Sequence, residues 1–182
     1  MGDEEPTGRK ARLKALERDM GFHERMRVAH ETGLINIYTN FNHLNRGGSP
    51  VFSMGDNLWP LLFLILGSVA LLFLHFIVGV SALVISVLLY LLVIRPWIAN
   101  RLRERTVRKM MTNLYNWRQI WAFGGVVVTL SNNARIGCAA PTSDWRALAR
   151  RFSIEIDPQG VEAHAVFRKN PGQQGAVPSI YD

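Results

Sequence analysis

The sequence predicts a membrane protein: an α-helical transmembrane hairpin of two spans, with a cytoplasmic helical N-terminal flank and a small α+β C-terminal domain. Three observations predict it. Residues 57–94 are 38 consecutive positions without Asp, Glu, Lys or Arg. All 35 charged side chains therefore lie in the other 144 residues, about 24% of them, an ordinary soluble density. One straight helix over 58–94 would be about 55 Å long against a hydrocarbon core of about 30 Å, more than tilt absorbs, whereas two helices of about 18 residues fit. Charge is also uneven: residues 1–56 hold 8 basic and 8 acidic side chains, while 95–182 hold 13 and 6, the whole net +7.

The expected organisation is a helical region over 1–56, the hairpin over 57–98, and a basic amphipathic juxtamembrane helix over 99–123. A small α+β region over 124–167 and a flexible tail over 168–182 complete it. The chain opens Met1-Gly2-Asp3-Glu4-Glu5-Pro6, too acidic for a secretory signal. Residues 7–32 read as helix. Leu13, Leu16 and Met20 form one apolar stripe, and Phe22, Met26 and Ala29 form a second, rotated from the first. Lys10, Lys14 and Arg18 line another face, suited to an anionic membrane surface or a partner helix. The stretch from Leu34 to Leu44 is too apolar for a free linker, and Arg46-Gly47-Gly48-Ser49-Pro50 punctuates the chain.

The two spans are expected near 58–76 and 79–98, with Gly79 and Ser81 making the break. Trp59-Pro60 and Pro96-Trp97 mark the ends, where indole rings favour the membrane interface. Pro60 suits a first helical turn, and Pro96 a kink or restart. Arg95, Arg101, Arg103, Arg105, Arg108 and Lys109 crowd the exit from the second span. The positive-inside rule puts them on the cytoplasmic or matrix side, facing lipid phosphates, and hairpin parity brings the N-terminal flank to the same side. One long kinked helix is the alternative, but it requires moving the basic stretch 9–27 across the membrane. Gly67, Ser68, Gly79, Ser81 and Ser86 are small residues that let helices approach closely.

Beyond Pro96 a helix is expected to run to about Trp121. Val107, Met110, Leu114, Trp117 and Trp121 recur at spacings of 3, 4, 3 and 4, so this face is buried against something. Gly125–Leu130 reads as a strand and Arg135–Ala140 as a second. A short helix follows, capped by Ser143 or Asp144, with Trp145, Leu148 and Ala149 inward. Phe152–Ile156 alternates at period two, Asp157-Pro158-Gln159-Gly160 signals a turn, and Val161–Phe167 is the partner strand. A two-residue loop would pair Ile156 with Val161 but set Glu155 opposite Glu162. A bulged loop mixes the faces.

The residues offer little chemistry. One cysteine, Cys138, excludes an internal disulfide and reads as a small buried residue. His23 and His30 lie about 10 Å apart along one helix, too far to share a metal, and read as surface residues. His164 reads as half of a polar pair on its strand. Asn45-Arg46-Gly47-Gly48-Ser49 lacks the P-loop lysine, and Gly124-Gly125 precedes a strand rather than a helix. No cofactor or metal site is expected.

The expected function is that of a non-catalytic structural or assembly subunit of a multi-protein bacterial or organellar inner-membrane complex. Both termini would be cytoplasmic or matrix-side. Its partners would be membrane lipid and other membrane subunits, docked through Val107, Met110, Leu114, Trp117, Trp121, Trp145, Arg146 and Arg150. One alternative is a tethered module binding anionic lipid or nucleic acid through 101–151, part of its Arg- and Trp-rich C-terminal region, nucleic acid being disfavoured. Another is a small transporter or proton-handling subunit using His75, the one ionisable residue inside the apolar run apart from Tyr90.

Overall fold

The computed structural model describes residues 5–156 and 163–167. In chain order the elements are α1 (Glu5–Glu31), β1 (Ile35–Thr39), α2 (Phe41–Leu44), α3 (Met54–Leu74), α4 (Phe76–Leu89), a π-helical turn (Tyr90–Ile94) and α5 (Arg95–Thr112). They continue with α6 (Leu114–Phe123), β2 (Val126–Leu130), β3 (Gly137–Ala139), α7 (Trp145–Ala149), β4 (Phe152–Ile156) and β5 (Ala163–Phe167). The chain divides into a hairpin unit, 41–106, and a flank unit made from 1–40 together with 107–182.

In the hairpin unit, Ser53 starts α3 by accepting the Asp56 N–H at 3.4 Å, which satisfies one orphan donor of the first turn. Pro60 is therefore the seventh residue of α3 rather than part of its first turn. The break between spans also falls elsewhere than expected. His75 alone leaves helical geometry (φ −156°, ψ 119°), and α4 starts at Phe76. Gly79 and Ser81 lie inside α4 instead. The second apolar segment continues helically past Pro96 to Thr112. Proline lacks an N–H and its ring crowds the carbonyl four residues back. The π-turn just before it absorbs that conflict: Arg95 N–H donates to the Tyr90 carbonyl, five residues back. Both apolar helices are long and apolar enough to cross a membrane.

The flank unit corrects the separation of the two flanks. Its three-stranded antiparallel sheet has the order β1-β2-β3, so a strand from before the apolar run pairs with one from after it. Ile37 stands opposite Val128, and Val128 opposite Cys138. Ile35, Ile37, Val126, Val128 and Leu130 are buried on this sheet. α1 packs against β1, α6, α7, β4 and β5. Its Phe22, Met26 and Ala29 stripe is buried, whereas Leu13, Leu16 and Met20 are exposed. Gly33 ends α1 with φ 71°, placing Leu34 N–H on Ala29 O and Gly33 N–H on His30 O, a Schellman closure that needs a left-handed residue.

The helix expected to reach Trp121 is broken at Asn113, whose extended backbone and side-chain carbonyl, accepting Asn116 N–H at 2.8 Å, start α6 afresh. Asp144 caps α7, with Trp145, Leu148 and Ala149 inward as expected. The β4–β5 register pairs Ile156 with Ala163 and Glu155 with His164, not with Val161 and Glu162. It sets Phe152 opposite Phe167 with rings 5.5 Å apart. The expected turn at 157–160 and the tail 168–182 lie outside the described residues.

Candidate functional site

The hairpin seam is built from small residues at the turn end. Gly79 is buried, and a Cβ on it would collide with the backbone of Leu72. Further along, the Ser68 and Ser86 hydroxyls lie 2.9 Å apart, and Ser68 also donates to the Leu64 carbonyl at 2.8 Å. Gly67 and Ser81 take no part: both are exposed, and Ser81 bonds back to Ile77 O within its own helix. The outer faces are uncovered. Phe63, Phe73, Leu74, Phe76, Ile77 and Leu92 are between 68% and 88% exposed, an extended apolar surface of the kind that marks contact with a membrane or another protein.

At the other end of this unit lies a collar of aromatic and charged groups. Trp59 and Trp97 are exposed, Trp59 beside Phe63 with ring centroids 5.9 Å apart. The Arg101 guanidinium sits 5.2 Å from the Trp97 ring centre and 3.9 Å from the Asp56 carboxylate. Arg105 donates to Asp56 as well. Two of the cations expected to face lipid phosphate are thus held by a carboxylate in the first turn of α3. Arg95, Arg103, Arg108 and Lys109 are exposed. A buried stripe of Ile98, Leu102 and Thr106, spaced by four, lies on the same helix and ahead of the stripe expected from Val107.

The Arg- and Trp-rich stretch has a partner within its own unit. Asp19 of α1, only 5% exposed, receives Arg146 Nε at 2.9 Å and Nη2 at 2.7 Å, and Arg118 Nη2 at 2.5 Å. The Arg146 hydrogen bonds, then those of Arg118, hold the Asp19 carboxyl down to about 2 against the cost of burial. Arg146 and Arg150 also approach Asp144, at 3.6 and 3.7 Å. Trp117 stacks on Trp121 at 5.9 Å and lies 5.3 Å from Trp145. Met110, Leu114, Trp117, Trp121 and Trp145 are buried and Val107 is half-buried. The 3-4-3-4 face is therefore spent on the chain's own core, not offered to a docking protein. His23, expected at the surface, is buried, edge-on to Trp117 at 5.6 Å. Its Nε2–H donates to Met110 O at 2.8 Å, satisfying one of the carbonyls left open where α5 ends.

No protein family, curated protein or solved structure matches the chain. The geometry is thus the whole basis for reading function.

Among the described residues no group of three His, Cys, Asp or Glu is placed to hold a metal ion. Cys138 is buried in β3, and burial pushes its thiol up to about 12, so it stays protonated and unreactive at neutral pH. Sequence reading missed Asp19 and Asp56, the two carboxylates that organise the arginines. Asp19 carried a usable signal: it precedes Phe22, Met26 and Ala29 by 3, 7 and 10 residues, so it extends the buried stripe by one turn. Asp56 carried none, since its partners are 45 and 49 residues away.

Proposed function

We propose that this chain is a hairpin-anchored, non-catalytic structural subunit of a larger membrane assembly, with both flanks on the cytoplasmic or matrix side. The observation that carries the reading is the pairing of β1 with β2. Strands from before and after the apolar run share one sheet, so a membrane-inserted chain must cross an even number of times. Two helices of spanning length supply two crossings. The six basic side chains of 95–109 then favour the cytoplasmic or matrix side. The residue composition of the outer hairpin face supports a partner: Gly67, Ala70 and Ser81 are small, exposed and unused in the seam, as expected where another helix packs closely.

Nucleic acid is not needed to account for Arg118 and Arg146, which Asp19 already neutralises. His75 stands at the hairpin tip, between α3 and α4, and among the described residues no hydrogen bond or ion pair joins it to a second ionisable group. The test is extraction followed by sizing. The chain should resist alkaline carbonate, and after gentle solubilisation it should migrate well above its 20.6 kDa plus a detergent micelle, together with stoichiometric partner subunits. Release by carbonate overturns the anchor, and a lone monomer overturns the subunit role.

A further inference from the structure

The hairpin seam is closed at the His75 end, where Gly79 meets Leu72, and opens toward the Trp collar. There the two legs enclose a groove of about 260 Å³, lined by Leu61, Leu64, Ser68, Leu83, Val87 and Tyr90 among others. Its floor makes no polar demand. Ser68 donates to Leu64 O, and Ser86 donates to Ser68 Oγ, so both hydroxyl protons are already used. An occupant of this groove is hydrocarbon, not a polar solute.

Size decides what kind of hydrocarbon. From Ser68 to Leu61 the groove follows seven residues of α3, about 10 Å. A single alkyl chain fits. The polar end is fixed by the π-turn. Because Arg95 N–H bonds to Tyr90 O, Arg95 lies one helical turn beyond the lining residues Tyr90 and Leu91. Arg95 is exposed and joins none of the ion pairs seen among the described residues, while Arg101 and Arg105 are engaged by Asp56.

We propose that this groove is a binding site for one acyl chain of an anionic phospholipid, with the lipid phosphate at Arg95. The site rests on the membrane reading above. Its test uses the purified full chain in neutral detergent, titrated with phosphatidylglycerol or phosphatidylcholine and read by native mass spectrometry. One phosphatidylglycerol should be retained per chain in preference to phosphatidylcholine. Arg95→Gln should lower that preference about fivefold, the ~1 kcal/mol expected of one arginine near an anionic surface. Val87→Trp, which fills the groove, should abolish retention of both lipids. Disulfide formation in a Ser68→Cys/Ser86→Cys background shows that each variant keeps its hairpin. Unchanged retention in Val87→Trp, or unchanged preference in Arg95→Gln, overturns the site. So does a lipid-free dimer that Val87→Trp dissociates, since a second copy would then own the groove. Carbonate release of the chain marks failure of the membrane reading instead, whatever the lipid result.

Discussion

Asp19 is the residue on which the flank unit turns, because one buried carboxylate joins α1 to arginines of α6 and α7. A carboxyl held near 2 in the folded chain and near 3.8 when unfolded contributes about 2 kcal/mol at neutral pH. The folded value is depressed, so that contribution is complete above about pH 4 and is lost as pH falls toward 2. Asp19→Asn should therefore lower stability by about 2 kcal/mol at pH 7 in denaturant titrations. The gap between wild type and variant should close between pH 4 and pH 2. A gap that stays constant across that range would deny the arginine clasp its role. Cys138 gives a second residue-scale prediction: with its thiol pushed up to about 12, iodoacetamide at pH 8 should modify it only after denaturation. Its burial was legible from its small neighbours Gly137, Ala139 and Ala140. The fate of Arg118 and Arg146 was not, because a lone acidic residue 99 or 127 positions upstream leaves no local pattern.

At the scale of elements, helices and strands were legible wherever periodicity or capping chemistry was strong. The apolar pair of helices, the Val126–Leu130 strand and the Asp144-capped α7 follow from local signals. Breaks were harder. Gly79 has the chemistry of a turn, yet it lies inside α4, where a Cβ would strike the backbone of Leu72, and His75 takes the turn without any turn-forming side chain. Small residues serve both purposes, and only the packing partner tells them apart. Gly79→Leu should push the legs apart and abolish disulfide formation between cysteines at 68 and 86. Gly67→Leu, with nothing within 4 Å of its added Cβ, should leave the crosslink intact. Equal crosslinking in both variants would contradict the seam. Asn113 was hidden for a similar reason: the 3-4-3-4 spacing runs across it unbroken, but the cap interrupts the helix. Asn113→Ala should cost about 1 kcal/mol, seen as a lower denaturation midpoint with an unchanged slope.

For the whole molecule, the decisive feature is that the two flanks fold together. Composition separates them into a neutral and a basic region, since strand pairing across 87 to 95 residues (Thr39 with Val126 at one end, Ile35 with Leu130 at the other) has no signature in either sequence alone. Deleting residues 1–40 should thus unfold 107–156, removing β1 and Asp19 together. Limited proteolysis would detect new cleavage around Trp117 and Trp145, and persistent protection would contradict a shared core.

A two-span hairpin would put both flanks on one face of the membrane. Impermeant thiol labelling in sealed, oriented vesicles tests it most directly, using single cysteines at Arg12, His75 and Arg135 in a Cys138→Ala background. All three positions are exposed. Arg12→Cys and Arg135→Cys should react from the cytoplasmic or matrix side and His75→Cys only from the opposite side. Labelling of Arg12→Cys and Arg135→Cys from opposite sides would contradict it.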